Sequence, residues 1–146
     1  MNIRLIPIAA LAALPFAALG AAAVAQEGGR PYSVAKTGAA ERPGPGDPDG
    51  GGTAEFRVNA GQGRVCYTLS VSNIEPATAA HIHRAPPNAA GPVVVGLTAP
   101  TSGSSSGCAP VTRALAQEII RNPGAFYVNV HNAPFPGGAV RGQLGR

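Results

Sequence analysis

The feature that most constrains this chain is an alternation of apolar and polar residues in short runs bounded by glycine and proline. Residues 53–59 alternate in this way, Gly-Gln-Gly at 61–63 can turn the chain, and residues 65–71 alternate again. Successive side chains of a β-strand point to opposite faces of a sheet, so each run can bury one face and expose the other. The two runs and their turn therefore predict a β-hairpin.

Further strands are predicted along most of the remaining chain. They lie at 79–83, 93–97, 126–131 and 138–144, with a weaker one at 31–36. Many short strands separated by turns, with a single stretch of helical character, are typical of all-β folds. The sequence therefore predicts an antiparallel β-sandwich of Greek-key-like topology with one short helix.

Three segments fall outside the strand pattern. Residues 42–52 contain three prolines and five glycines and predict an exposed loop. The Ser/Gly-rich residues 101–107 predict a mobile loop. Thr112 can cap a helix that ends at Asn-Pro-Gly 122–124, and its apolar stripe consists of Leu115, Ile119 and Ile120.

Residues 1–25 predict a secretory signal peptide. Arg4 gives a short basic start, residues 5–19 are apolar and rich in alanine, and Ala-Val-Ala at 23–25 is a small-residue cleavage signal. A membrane anchor is the alternative, but two prolines and a glycine interrupt the apolar stretch. We therefore expect one domain over 26–146, secreted or periplasmic, with no membrane span after cleavage.

The two cysteines of the chain, Cys66 and Cys108, are predicted to form a disulfide. An exported protein meets an oxidising compartment, which disfavours free thiols, and no Cys-x-x-Cys spacing supports a zinc half-site. The bridge would close a loop of about 43 residues and stabilise the fold by about 4 kcal/mol. That loop includes a His-x-His sequence.

Composition and motifs exclude several functions. The net charge is +4, and the arginines form no basic run interleaved with aromatic residues, so no nucleic-acid partner is predicted. The chain has no Gly-x-Ser-x-Gly, no phosphate-binding loop and no His-Glu-x-x-His. Conventional hydrolase chemistry therefore has little support.

All three histidines fall on predicted strands. His81 and His83 share one face of their strand, and His131 shares a face with Tyr127 and Asn129. If the two strands are neighbours, three imidazoles converge on a mononuclear metal site, and Asn129 could orient one of them. The alternative is a set of separate, hydrogen-bonded histidines, and packing is the expected role of Tyr127.

A wider set of motifs resembles the CHRD domain, the module repeated in chordin and also present singly in exported bacterial proteins. The matching segments are His-Ile-His at 81–83, Val-Asn-Val-His at 128–131 and Arg-Gly-Gln-Leu at 141–144. The resemblance covers about residues 31–144 and implies an extracytoplasmic binding or structural module. Its partner would be an extracytoplasmic protein or a component of the cell envelope, and no catalytic residue is implied.

The order of the motifs is also similar to that of the copper/zinc superoxide dismutases, which are disulfide-containing β-sandwiches. That similarity implies copper ligands at His81, His83 and His131, with Arg141 as an anion guide in an enzyme alternative. Between Arg84 and Val130 there is no histidine or aspartate, which disfavours the zinc site of that family. Copper is therefore favoured over zinc. A salt bridge from Arg141 to Glu55 or Glu75 is the structural alternative.

Overall fold

Eight antiparallel strands and one α-helix make up the fold, which confirms the all-β prediction. The structure is a computed structural model and describes residues 28–145. Short 3-10 turns at Gly38–Ala40 and Pro123–Ala125 accompany the main elements. These are β1 (Arg30–Thr37), β2 (Gly51–Asn59), β3 (Arg64–Ser72), β4 (Ala77–Arg84), β5 (Val93–Leu97), β6 (Ser104–Pro110), α1 (Arg113–Arg121), β7 (Phe126–Asn132) and β8 (Val140–Gln143).

The strands form one curved sheet in the order β5-β4-β7-β8-β1-β2-β3-β6. We call β5-β4-β7-β8 the first half-sheet and β1-β2-β3-β6 the second half-sheet. A single registered pair, Thr37 opposite Arg141, joins them. The outer strands also approach each other, since Ser105 Oγ donates to the Thr98 carbonyl at 2.7 Å. The sheet is therefore nearly closed and barrel-like rather than clearly a sandwich of two separate sheets.

The core follows from the alternation of apolar residues. In the β2–β3 hairpin, Val58 lies opposite Val65, and both are fully buried. Helix α1 contributes Ile119 to the same core, and the Thr112 hydroxyl caps it by accepting from the Leu115 amide at 3.1 Å. The predicted hairpin and helix are both confirmed.

Two predicted loops differ from the structure. Residues 104–107 belong to β6, because β3 supplies a complete hydrogen-bonding partner for a run whose composition alone does not favour a strand. The Pro/Gly-rich segment is partly buried, with Asp47 only 8% exposed. Asp47 donates its amide to the Ala139 carbonyl at 2.8 Å, so this segment folds over the sheet instead of extending into solvent.

The disulfide between Cys66 and Cys108 is confirmed, with an S–S distance of 2.06 Å. The two residues are direct partners in the β3–β6 pairing. The predicted signal peptide at 1–25 lies outside the described residues. Within 28–145, no helix is long and apolar enough to cross a membrane.

Candidate metal centre

The structure brings the three histidines together on the outer face of the first half-sheet. Strands β4 and β7 are antiparallel neighbours, with His81 opposite Asn129 and Ala79 opposite His131. The period-two alternation then directs His81, His83 and His131 to the same face. The predicted convergence of the three imidazoles is present.

The imidazole nitrogens lie close to the spacing that a shared ion requires. His81 Nδ1 lies 3.2 Å from His131 Nε2. One ring nitrogen from each histidine falls within a group whose members are no more than 4.8 Å apart. Two ligands at 2.0 to 2.1 Å from an ion can be at most about 4.2 Å apart, so ring shifts of about half an ångström would complete the site.

Backbone carbonyls fix the tautomers of two of the rings. His83 Nδ1 donates to the Gly91 carbonyl at 2.9 Å, and His131 Nδ1 donates to the Pro136 carbonyl at 2.9 Å. A carbonyl can only accept, so in the neutral rings Nδ1 carries the hydrogen and Nε2 keeps its lone pair. Metal-ligating histidines are commonly held in this way.

One ring nitrogen of the cluster is buried without a partner among residues 28–145. His83 is 8% exposed, and its Nε2 is buried with no hydrogen-bond partner among the described residues. Leaving a buried acceptor unpaired costs about 1 to 3 kcal/mol. A metal ion bound to this lone pair would remove that cost.

Burial favours the neutral form of His81 and His131. Burial lowers the pKa of His81 below its usual value, and the adjacent His131 and His83 lower it further. Burial likewise lowers the pKa of His131, against an opposing contribution from its bond to Pro136. Neutral imidazoles are the form that binds metals, and the cluster contains no carboxylate or thiolate from residues 28–145.

Arg141 is buried and hydrogen-bonded to backbone carbonyls, neither of which the sequence predicts. It is 1% exposed, and its guanidinium donates to the carbonyls of Ala89 at 2.8 Å and Pro86 at 2.9 Å. The alternative salt bridge to Glu55 or Glu75 is absent from the described part of the chain. The loop after β4 folds over Arg141 and supplies the carbonyls, which is why a carboxylate partner is not needed.

Several residues around the histidines make specific contacts that the sequence analysis did not predict. Tyr127 stacks on His83, with ring centroids 4.7 Å apart and planes 5° apart. The alternation of side chains along the strand places Tyr127 on the same face as His131, and this pattern could have indicated that Tyr127 contacts the histidines. The hydrogen bond of Gly91 to His83 and the burial of Glu41 depend on loops and had no such signal.

Asn129 is 2% exposed and lies between His81 and Arg141 in the strand register. Its side chain hydrogen-bonds the carboxyl of Glu41, and its Oδ1 is buried without a partner within 28–145. The predicted role of Asn129 in orienting an imidazole stays a prediction.

Among the comparisons with known proteins, only the family models give a match. No curated protein and no solved structure matches the chain. The family model of the CHRD domain matches residues 32–144, which include all eight strands apart from the first two residues of β1. The motifs at 81–83, 128–131 and 141–144 lie inside this match. The chain belongs to the CHRD domain family.

Proposed function

We propose that this protein is an exported CHRD module that binds one copper ion through His81, His83 and His131. The observation that carries the proposal is the buried lone pair of His83 Nε2, which has no partner within residues 28–145 and belongs to the three-histidine cluster. His131 Nε2 and His81 Nδ1 would complete the ligand set. In the ion-free cluster His81 Nδ1 donates to His131 Nε2, so metal binding would shift the hydrogen of His81 from Nδ1 to Nε2. Copper bound there would supply a Lewis-acidic, redox-active centre.

The ligand set favours copper over zinc. Imidazole suits both metals, and three histidines with an open fourth position also match a catalytic zinc site, so the number of ligands excludes only a closed structural zinc site. Among divalent metals of the first transition row, Cu²⁺ forms the strongest complexes with a given set of nitrogen ligands. Hard cations such as Mg²⁺ and Ca²⁺ prefer oxygen ligands and are poorly matched to three neutral imidazoles.

Three features support a location outside the cytoplasm. The Cys66–Cys108 disulfide is typical of oxidising compartments, the CHRD family includes extracellular modules, and residues 1–25 have the pattern of a signal peptide. The partner that fits this setting is an extracytoplasmic protein or a component of the cell envelope.

The dismutase alternative receives no comparable support. An anion guide must present its charge to the approaching anion, whereas the guanidinium of Arg141 is buried and bonded to the carbonyls of Pro86 and Ala89. We therefore propose copper binding without a catalytic role. A superoxide assay of the copper-loaded protein tests that distinction.

Copper titration by calorimetry, combined with electron paramagnetic resonance, tests the proposed site. We expect one Cu²⁺ per chain with nitrogen hyperfine coupling, and an affinity loss of at least about 100-fold in His131→Ala, because a direct ligand should matter more than the residues that orient ligands. Gln62→Ala, in the β2–β3 turn of the second half-sheet, is the control and should match the wild type. Equal binding by His131→Ala and the wild type would contradict the three-histidine site.

A further inference from the structure

His83, Tyr127 and Arg141 form a stack of three side chains. The Tyr127 ring is parallel to the His83 ring at 4.7 Å, and Cζ of Arg141 lies 3.4 Å from the centre of the Tyr127 ring. Strands β4 and β8 flank β7 on opposite sides, so His83 and Arg141 cover opposite faces of the phenol ring. The attraction between a cation and an aromatic face favours this arrangement. The stack restricts the rotation of both rings.

Arg141 and Tyr127 of this stack, together with Gln143, hold residues 85–92, the loop that joins β4 to β5. Arg141 donates to the carbonyls of Pro86 and Ala89, and Gln143 Nε2 donates to the Ala85 carbonyl at 2.7 Å. The Tyr127 hydroxyl accepts from the Gly91 amide at 3.4 Å. Strands β7 and β8 therefore fix the loop at both of its ends.

The fixed loop in turn determines the orientation of His83. The Gly91 carbonyl accepts from His83 Nδ1, so the position of this carbonyl sets the tautomer and the ring angle. Gly91 packs so tightly that an added Cβ would collide with the carbonyl of Arg84 and lie 2.9 Å from Cβ of Ala85. The close packing of Gly91 therefore holds its carbonyl in one position relative to the His83 imidazole.

We infer that Tyr127 and Arg141 are positioning residues that hold His83 with its Nε2 lone pair ready for the metal, an inference that rests on the proposed copper site. Tyr127 acts through ring stacking, and Arg141 acts through Tyr127 and through the loop that carries Gly91. The ordering of His83 is then complete before the ion arrives, which strengthens binding. In this account Arg141 orients His83 through Tyr127 and the loop of residues 85–92, and it does not attract an anion.

Two substitutions of Tyr127 separate stacking from general stability. Tyr127→Leu removes the ring, whereas Tyr127→Phe keeps it and loses only the hydroxyl. Tyr67→Phe is the matched control, since Tyr67 is also buried and its hydroxyl accepts from the Thr98 amide at 2.8 Å, but it lies in the second half-sheet. Long-range ¹H–¹⁵N spectra of the imidazoles without metal, and copper affinity, are measured for each variant.

We expect the wild type and Tyr67→Phe to show a single Nδ1–H tautomer of His83 and copper affinities within about threefold of each other. Tyr127→Phe keeps the ring but loses the acceptor for the Gly91 amide, so its copper affinity should lie between those of the wild type and Tyr127→Leu. Tyr127→Leu should show a mixture of tautomers and bind copper about 10- to 100-fold more weakly, the usual effect of removing a group that orients a ligand. If Tyr127→Leu does not fold, Arg141→Lys, which keeps the charge and loses the planar fork, is expected to give the same two changes.

A folded Tyr127→Leu protein with the wild-type tautomer and wild-type copper affinity would overturn the positioning role and leave the copper site intact. Failure of the wild type to bind copper would instead refute the proposed function. In that case the tautomer spectra alone decide whether Tyr127 positions His83.

Discussion

At the scale of single residues, the most unusual titratable group is Glu41, which lies in the segment between β1 and β2. It is 2% exposed, and its Oε1 has no hydrogen-bond partner among the described residues. Burial raises the pKa of the Glu41 carboxyl to about 7, although Arg141, Arg42 and the hydrogen bond from Asn129 all act to lower it. The folded protein therefore holds a proton on Glu41 that the unfolded chain releases at a much lower pH.

This difference makes folding stability depend on pH. Because the folded pKa is above the ordinary 4.5, stability is greatest below that value and falls as the pH rises through about 7. The loss approaches about 3 kcal/mol. Glu41→Gln should remove this pH-dependent loss. The free energy of unfolding of the variant, relative to that of the wild type, should therefore increase from pH 4.5 to pH 8.

Urea denaturation of the two proteins at pH 4.5 and at pH 8 measures this gain. Other titrating groups, including Lys36 and the histidines, contribute equally to both proteins and cancel in the comparison. The same stability difference at both pH values would contradict the account of Glu41.

Glu41 and the histidines differ in how far the sequence predicts their surroundings. The shared face of His81, His83 and His131 could be predicted because the period of a strand is a local property. The environment of Glu41 could not, because it is created when residues 42–50 fold back over the sheet. The use of Gly91 as a hydrogen-bond acceptor depends on another loop in the same way.

At the scale of elements, β6 is the strand that the sequence pattern did not predict. Ser104–Pro110 has few β-forming side chains, yet every residue from Ser104 to Pro110 has a registered partner in β3. β6 forms because β3 supplies its hydrogen-bonding partners, and the Cys66–Cys108 bridge fixes its register. The composition of residues 101–107 predicted a loop, because composition carries no information about a partner strand that is remote in sequence.

Removal of the bridge should therefore be costly. Cys66→Ala/Cys108→Ala opens a loop closed across a sequence separation of 42 residues, and we expect the free energy of unfolding to fall by about 4 kcal/mol. Ser106→Ala, an exposed substitution in the same strand, should change it by less than about 0.5 kcal/mol. Urea denaturation without reductant provides the measurement, and a loss below about 1 kcal/mol in the double variant would contradict the predicted stabilisation.

At the scale of the whole molecule, the fold depends on how the two half-sheets meet. Thr37 opposite Arg141 is the one registered pair between β1 and β8. Next to it, an added Cβ at Gly142 would collide with the carbonyl of Ala35 and lie 2.5 Å from Cγ1 of Val34. The alternation of residues predicted the strands, but this closure arises only when β1 and β8, far apart in sequence, pack together.

Gly142→Ala tests the closure. The added methyl group should lower the free energy of unfolding by about 1 to 3 kcal/mol, the usual cost of overpacking a tight contact. Gly96→Ala on β5 is the control, because no atom lies within 4 Å of an added Cβ there. Thermal denaturation of both variants should show a clear loss for position 142 only, and equal losses would be evidence against a close junction.

The central claim is that three histidines of the first half-sheet form one copper site. Anomalous diffraction at the copper edge, from crystals grown with one equivalent of Cu²⁺, tests it most directly. We predict a single peak about 2.0 to 2.1 Å from His81 Nδ1, His83 Nε2 and His131 Nε2. No peak at this cluster, or a peak bound by fewer than three of the histidines, would contradict the account.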